Sequence, residues 1–265
     1  MVKTFSLWMR RNLKDAFSGL ITQDIDFVFV SKNKDFFFFL EEKNSMTARV
    51  GSAQKIIFKL FNDFNYNEKR FYGTYIFYAI KEKQTREELL DFIYRIKNKK
   101  LTRPNYEIDN NELSKLWDCT GTPPIKKTEK ERSGYRGSVI KKVLTKDIID
   151  EFLFIEPIHW IFVNYCSGNF IFLEELTKNS KLDDKRREFI DFIDQIFRQN
   201  NINSNARNPK SNVRYKYLGY YILKFENTNP DNSPKMYLNN KEISKQELIK
   251  VLNLDDDSIT AYSIN

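Results

Sequence analysis

Blocks of hydrophobic and polar residues divide the chain into predicted helices and strands. Apolar residues three and four positions apart predict helices, whereas short aromatic and β-branched runs predict strands. In the first half the pattern predicts a basic amphipathic helix at 5–20, strands at 24–30 and 36–43, a helix at 52–64, a strand at 70–80 and a helix at 85–96. The last helix is predicted to begin with a capping box of Thr85 and Glu88.

The segment DFFFFLEEKNS, residues 35–45, joins a run of four phenylalanines to three charges. Because this run has no polar face, the strand is predicted to lie inside the sheet with both faces covered. Side chains alternate along a strand, so Glu41 and Lys43 share one face and Glu42 points to the other. Either the charges only mark where the strand reaches solvent, or the strand delivers a carboxylate and an ammonium to an active site.

The second half repeats the pattern of the first. DIDFVFVSKNKDFFFFLEE aligns without a gap with PIHWIFVNYCSGNFIFLEE, residues 157–175, at a constant offset of 133 residues. The positions that meet identical residues are Ile25, Phe29, Val30, Phe37, Phe39, Leu40, Glu41 and Glu42. A helix at 186–197, a strand at 216–225 and a capping box of Ser244 and Glu247 follow in the same order. We therefore expect a duplication.

The domain organisation follows from this repeat. We expect a first domain at 1–97 and a second at 138–265. Between them, residues 98–137 are rich in charges and turn residues and poor in apolar ones, which predicts a linker or mobile loops. The alternation of strands and helices in both halves predicts an α/β protein.

Composition limits the possible chemistry. Lys and Arg outnumber Asp and Glu by 44 to 36, which gives a net charge of +8 and favours polyanionic partners such as nucleic acid. Eight glycines and no GxxxxGK[ST] or GxGxxG motif argue against a phosphate-binding loop. With two cysteines and one histidine, a zinc site or a histidine-rich centre is not expected.

The compartment is predicted from the same features. The N-terminal stretch has charges inside its short apolar run, which is not the pattern of a signal peptide. The most apolar region, 152–173, is interrupted by polar residues and proline, so it is not expected to span a membrane. We therefore expect a cytoplasmic protein with no membrane partner.

Three residues form the candidate chemical site. Asp26 opens one predicted strand, and Glu41 and Lys43 close its hairpin partner, so all three meet at one end of the sheet. Two carboxylates there can hold a hard divalent cation, Mg²⁺ or Mn²⁺, which neutralises charge on a phosphodiester. Lys43 would orient the attacking water or stabilise the transition state. Asp24 shares the strand face of Asp26 and competes with it as the metal ligand.

The combination of Asp26, Glu41-x-Lys43 and a following helix resembles the PD-(D/E)XK nuclease superfamily, which has the restriction-endonuclease-like fold. Many members carry a glutamine in the helix after the lysine, a position that Gln54 matches. The resemblance covers roughly residues 5–80. It implies a mixed β-sheet core flanked by helices and a magnesium-dependent nuclease, with a DNA endonuclease as the expected activity.

The second half does not keep the motif. His159 stands where Asp26 would be, and Leu176 where Lys43 would be, so only Glu174 remains. Without the second carboxylate and the lysine, hydrolysis with a hard cation should be lost. We expect a degenerate copy that serves recognition or completes an internal pseudo-dimer, and a homodimer is the other possibility.

Basic and aromatic residues suggest where nucleic acid would bind. Lys and Arg contact phosphates, and tyrosine rings can stack on bases. The candidates are Arg10, Arg11, Arg207, Lys210, Arg214, Tyr215, Lys216 and Tyr217. DNA is preferred to RNA through the family resemblance. The competing interpretations are a non-catalytic nucleic-acid-binding protein that keeps the fold, and an interaction protein without affinity for nucleic acid.

Overall fold

The computed structural model of the protein describes residues 5–104, 106–107, 138–177, 180–227 and 230–263. Within these residues, eight strands form one mixed sheet with helices packed on both of its faces. The predicted α/β class is confirmed. No helix in the described part of the chain is long and apolar enough to cross a membrane.

Most elements lie close to the predicted positions, but the helix predicted at 5–20 ends at Asn12 and β1 begins at Leu20. The strands are β1 Leu20–Ser31, β2 Phe37–Lys43, β3 Phe71–Tyr78, β4 Phe152–Asn164, β5 Asn169–Thr177, β6 Lys216–Phe225, β7 Met236–Leu238 and β8 Lys241–Glu242. The α-helices are α1 Phe5–Asn12, α2 Ser52–Phe64, α3 Glu82–Lys97, α4 Val139–Val143, α5 Lys146–Ile149, α6 Asp184–Asn203 and α7 Lys245–Leu252. Short 3₁₀ helices occupy Ala16–Ser18, Pro230–Asn232 and Ser258–Tyr262.

One predicted capping box is present and the other is wrong. Ser244 and Glu247 form the expected reciprocal box at the start of α7. The helix α3 begins one turn earlier than predicted, after Lys81, whose extended backbone (φ −131°, ψ 135°) marks the helix start. Thr85 therefore lies inside the helix, where it is buried and its hydroxyl has no partner.

The two halves of the chain share the sheet, whose order is β3-β2-β1-β4-β5-β6-β7-β8. In each half an antiparallel hairpin is followed by a parallel strand. In the first half β1 pairs antiparallel with β2, and β2 pairs parallel with β3. In the second half β4 pairs antiparallel with β5, and β5 pairs parallel with β6. The halves meet where β1 pairs antiparallel with β4. At that junction Ile25 lies opposite Ile158, the residue with which it aligns in sequence.

Aromatic and aliphatic side chains cover both faces of the sheet. One face packs against α2 and α6, whose apolar residues are spaced to form a single buried stripe on each helix. The other face packs against α3, α4 and α5 in the first half and against α1 and α7 in the second. Because β2 is buried on both sides, Phe37 to Leu40 have no exposed surface, as the phenylalanine run predicts.

The same local arrangement positions the helix behind each hairpin. Gly73 and Gly219, with φ of +130° and +136°, lie at matching register shifts of β3 and β6. The amide of the next residue donates to Asn62 Oδ1 at 3.1 Å in the first half and to Asp194 Oδ1 at 2.9 Å in the second. Asn62 and Asp194 are thus counterparts on α2 and α6.

Part of the predicted linker packs against the first half. Arg103 donates to the Tyr66 carbonyl at 3.0 Å, and the Tyr106 ring lies 5.1 Å from that of Phe58. The rest of the predicted linker, from residue 108 to 137, lies outside the described residues. The boundaries of the two predicted domains stay predictions, and the shared sheet shows that the halves are not separate in space.

The positive φ of Gly73 leads to a stability prediction. A Cβ at this position would come within 2.9 Å of the Tyr75 ring, in a backbone conformation that side chains rarely adopt. Gly73→Ser is expected to lower the free energy of unfolding by about 1–3 kcal/mol, measured by urea denaturation.

Gly51→Ser is the matched control, since it adds the same atoms at an extended N-cap (φ −68°) with nothing within 4 Å. It should leave stability unchanged or raise it slightly, because serine is a good N-cap. Equal losses in both variants would contradict the assignment of strain to Gly73.

Candidate active site

The hairpin of β1 and β2 brings Asp26 and Glu41 together. The strands pair with Phe27 opposite Leu40, so the next pair along this register is Asp26 and Glu41. Asp26 Oδ2 accepts a hydrogen bond of 2.8 Å from the Glu42 amide, which ties the aspartate to β2. The hairpin therefore places two carboxylates side by side at one end of a buried strand pair.

Glu41, Lys43 and Gln54 form a hydrogen-bonded triangle. Lys43 Nζ lies 3.1 Å from Glu41 Oε1 and 3.0 Å from Gln54 Oε1. Gln54 Nε2 donates to the same Glu41 oxygen at 2.5 Å. Gln54 is buried in the first turn of α2, and the apolar stripe of that helix fixes its distance from the sheet. The structure thus brings together the four residues predicted to be catalytic, while their roles stay predictions.

Burial makes this carboxylate pair hard to ionise fully. Burial raises the pKa of Glu41 to about 7, and the negative charges of Asp26 and Asp24 add to the rise while Lys43 opposes it. Burial also raises the pKa of Asp26 to about 6, against the hydrogen bond from the Glu42 amide. Carboxyl groups that repel each other in this way attract a positive charge strongly when both are ionised.

A pocket of about 180 Å³ opens beside Asp26, between the two halves. Part of Asp24 reaches solvent. Burial of the rest raises the pKa of its carboxyl group, whereas the nearby Lys43 and His159 act to lower it. The polar residues that line the pocket are Asp24, Asp26, Ser138, Lys141 and His159. Asp24 and Asp26 line the same pocket, so the choice between them as the metal ligand stays open.

Glu42 connects the site to the second half. Its carboxylate accepts hydrogen bonds from the Ser138 hydroxyl and from the amides of Val139, at 2.6 Å, and Ile140, at 3.4 Å. These groups lie at the N-terminus of α4, where unpaired amides favour a negative partner. Strand alternation predicts that Glu42 points away from the face of Glu41 and Lys43. On its own face, Glu42 holds the start of α4 beside the pocket.

The equivalent glutamate of the second half is fully paired. Glu174 lies 2.9 Å from His159 Nδ1 through Oε1 and 2.6 Å from Arg186 through Oε2. Arg186 lies eight residues before Asp194, as Gln54 lies eight residues before Asn62, so the arginine occupies the position of the glutamine. Its guanidinium also donates to the Pro157 carbonyl at 2.8 Å.

The paired glutamate also differs in its ionisation. Burial acts to raise the pKa of Glu174, but hydrogen bonds from His159 and Arg186 outweigh it and the pKa is lowered. Both carboxylate oxygens are used by protein groups, so none is left for a cation. The second half therefore keeps the strand and its glutamate while neutralising the charge internally.

The first site fits a divalent cation in its donor chemistry. Glu41 Oε2 is buried and has no hydrogen-bond partner in the protein, and the neighbouring Asp26 offers a second carboxylate. Hard cations such as Mg²⁺ and Mn²⁺ prefer such oxygens and keep several waters. Among the described residues, no group of three or more His, Cys, Asp or Glu side chains is arranged to hold a metal, so two carboxylates would have to suffice.

Two of the predicted nucleic-acid contacts are wrong. Tyr215 and Tyr217 are only 4% and 2% exposed, and both belong to the core between the sheet and α6. The Tyr217 ring lies 5.1 Å from that of Phe172, and its hydroxyl donates to Asp194 at 3.0 Å. A ring can stack on a base only through an open face, so these tyrosines cannot do so in this fold.

The cationic candidates lie away from the carboxylates. Arg10 and Arg11 are on α1, which packs on the sheet face opposite α2. The others, Arg207, Lys210, Arg214 and Lys216, lie at or before the start of β6. Lys216 pairs there with Asn169, whereas Glu174 is near the far end of β5. Their part in nucleic-acid binding stays a prediction.

Three residues near the two sites were not predicted. Lys141 lines the pocket, and Arg186 binds Glu174. The Tyr106 hydroxyl donates to the Thr74 carbonyl, and burial raises its pKa, with the charges of Tyr75 and Glu41 adding to the rise.

Two proteins of Archaeoglobus fulgidus, both described only as uncharacterized, are similar to this chain. One is 52% identical over 145 residues, which span 52% of this chain and 94% of the relative. The other is 44% identical over 130 residues, which span 44% of this chain and 90% of the relative. No family model and no solved structure matches the sequence. The chain belongs to the same family as these uncharacterized archaeal proteins.

Proposed function

We propose that the protein is a metal-dependent nuclease that hydrolyses phosphodiester bonds of nucleic acid, with DNA as the preferred substrate. The observation that carries the proposal is the Glu41 carboxylate. One of its oxygens is held by Lys43 and Gln54, while the other is buried and has no protein partner. The sequence resemblance to the PD-(D/E)XK superfamily supplies the reaction type, and the convergence of the motif residues in space supports it.

The cofactor of this proposal is Mg²⁺ or Mn²⁺. Asp26 and Glu41 would hold the cation, and Asp24 is the alternative to Asp26 on the same strand. When bound, such a cation supplies Lewis-acid neutralisation of the negative charge on the phosphodiester. It would also offset the burial and the mutual repulsion that raise the pKa of both carboxyl groups.

The protein's own groups would position the reactants. Lys43 Nζ is fixed by Glu41 and Gln54 and presents a compact positive charge beside the carboxylates. It would orient the attacking water and stabilise the charge that develops on the phosphate oxygens. Gln54 keeps both side chains in place, since it accepts from the ammonium and donates to the carboxylate.

We further propose that the chain is an internal duplication with a restriction-endonuclease-like core in its first half. The pairing of Ile25 with Ile158, the glycine register shifts and the equivalent bonds of Asn62 and Asp194 support this reading. Each Archaeoglobus relative matches about half of this chain. Arg186 would make the second unit inactive by taking the place of a bound cation next to its glutamate.

Removal of the triangle should abolish cleavage. Lys43→Met and Glu41→Gln are expected to reduce DNA cleavage with Mg²⁺ or Mn²⁺ by about 100-fold or more, because each removes a charge that acts in the transition state. Cleavage of plasmid DNA measures the effect, and circular dichroism checks the fold.

Lys97→Met is the matched control, since it also removes a lysine from an ion pair, with Glu151 at 2.9 Å, but on the surface. It should cleave like the parent protein. Full activity in both Lys43→Met and Glu41→Gln would show that the reaction takes place elsewhere or not at all.

The metal-free protein should lose stability as the pH rises from about 5 to about 8. The folded-state pKa is raised to about 7 for Glu41 and to about 6 for Asp26. The protonated forms therefore stabilise the fold at low pH, and this contribution is lost as the pH rises through those values. For Glu41 the loss is on the order of 2 kcal/mol. Thermal unfolding in EDTA at several pH values measures it.

Mg²⁺ or Mn²⁺ should reverse this loss in the parent protein. Near the upper pH the cation is expected to raise Tm, since it binds the folded form. Glu41→Gln should flatten the pH dependence and remove the cation effect, whereas Glu188→Gln, which changes an exposed partner of Lys34, should keep both. An equal rise of Tm with the cation in Glu41→Gln would argue against metal binding at this carboxylate.

A non-catalytic nucleic-acid-binding protein is the second candidate function. The small number of carboxylates at the site favours it, because no described group of three or more metal-binding side chains is present. A gel shift on duplex and single-stranded DNA, at low and high salt, with and without Mg²⁺, separates the possibilities. Salt-sensitive binding without turnover would favour this second candidate, and no binding under any condition would exclude both.

A further inference from the structure

A cavity of about 610 Å³ lies in the second half, between α6 and β6. We call it the α6/β6 groove. Its floor is apolar and is formed by Leu176, Ile190 and Ile222, with the Tyr220 ring beside them. Its rim carries the cationic side chains of Lys181, Arg187 and Lys224. Its volume is within the range of about 300–1,000 Å³ that is common for ligand pockets.

The first half shows what such a groove can hold. There the equivalent space between α2 and β3 is filled by the protein itself, through Pro104 and Tyr106. The Pro104 carbonyl accepts from Asn62 Nδ2 at 3.2 Å, and the Tyr106 ring packs 5.1 Å from Phe58. The Tyr106 hydroxyl donates to the carbonyl of Thr74, on β3.

The two locations correspond residue by residue. Ile190 lies four residues before Asp194, as Phe58 lies four residues before Asn62. Tyr220 follows the positive-φ glycine of β6 as Thr74 follows that of β3. Ile222 lies opposite Glu174 in the sheet, as Ile76 lies opposite Glu41. Tyr220 is larger than its counterpart Thr74, but the groove stays open to solvent.

The charges at the groove require an anionic occupant. Lys181, Arg187 and Lys224 are exposed and make no ion pair with another described residue. Of the acidic lining residues, Asp194 is engaged by Arg198 at 2.7 Å, which leaves Asp191 alone against three cations.

We propose that the α6/β6 groove binds a nucleotide unit, with the base on the apolar floor and the phosphate at Lys181, Arg187 and Lys224. The equivalent surface of the first half holds Tyr106, an aromatic ring with a polar edge, and a nucleotide base has the same character. Lysine and arginine side chains bind phosphate well. This inference rests on the proposed function in taking nucleic acid as the substrate. In this arrangement the second half holds an unpaired nucleotide, and the first half provides the carboxylates of the proposed active site.

Binding to the full chain in EDTA tests the inference without any cleavage. The probes are a fluorescent single-stranded oligonucleotide, the duplex of the same sequence, and AMP and thymidine monophosphate as competitors. Arg187→Glu and Lys224→Glu are each expected to weaken binding of the single strand by about tenfold, followed by fluorescence anisotropy at fixed salt. The duplex should bind more weakly than the single strand, because its bases are not free to enter the groove.

Lys185→Glu is the matched control. Lys185 lies on the same helix as Arg187 and is exposed, but it does not line the groove. The variant makes the same change of charge and should alter affinity by less than about twofold. An equal loss in Lys185→Glu and Arg187→Glu would show general attraction to a basic surface and overturn the groove.

The two monophosphates distinguish the source of the nucleotide. If the monophosphates compete with the single strand, the groove holds a nucleotide of the strand. If the monophosphates bind and the strand does not, the groove holds a free nucleotide. No binding of any probe overturns the inference. If the protein binds the strand but never cleaves it, only the nuclease proposal is overturned. If the protein cleaves DNA and Arg187→Glu and Lys224→Glu leave the affinity unchanged, only nucleotide binding in the groove is overturned.

Discussion

The antiparallel pairing of β1 with β4 is the interaction on which the other features depend. It joins the three strands of the first half and the five of the second into one sheet and places Ile25 against Ile158 at the junction. The pairing has register shifts on both sides of Ile25, and the pocket between Asp26 and His159 opens at these irregularities. The carboxylates of both halves are consequently held near the middle of the molecule, where helices and strands exclude water from them.

Two glutamates at equivalent positions show how neighbours decide the fate of a buried charge. Glu41 and Glu174 are 6% and 3% exposed, so each loses most of its hydration. At Glu41 burial and the nearby carboxylates together outweigh the single ammonium, and the pKa is raised to about 7. At Glu174 a guanidinium and an imidazole supply hydrogen bonds to both oxygens, and the charged form is favoured. The first arrangement is unfavourable without a cation and the second is not, a contrast typical of a functional site and a structural ion pair.

Much of the fold and of the site follows from local patterns in the sequence. The apolar run of β2, the helix spacing of α2 and the alternation of Glu41 with Lys43 fixed where the charges would lie. The tyrosines show how a correct pattern can be given the wrong meaning. Tyr215 and Tyr217 alternate with Lys216, and this alternation places them on the buried face of a strand and only the lysine on the open one.

Other features depend on contacts between distant segments and have no local signal. Lys141 reaches the pocket only because Glu42 holds the start of α4 from across the chain. The equivalence of Arg186 with Gln54 was hidden because Arg186 follows Glu174 by twelve residues, whereas Gln54 follows Glu41 by thirteen. A gap-free alignment sets Arg187 against Gln54, and only the bond between Asp194 and β6 shows the shift.

The continuous sheet also has a consequence for how the molecule meets a partner. Two identical subunits would separate on dilution and would present the same surface twice, whereas these halves cannot part without unfolding and are no longer alike. One half therefore carries a glutamate with an unpaired carboxylate oxygen, Glu41, and the other a glutamate with both oxygens paired, Glu174. In the proposed nuclease, a single open carboxylate site per chain means that one visit to a duplex would leave a nick and not a double-strand break.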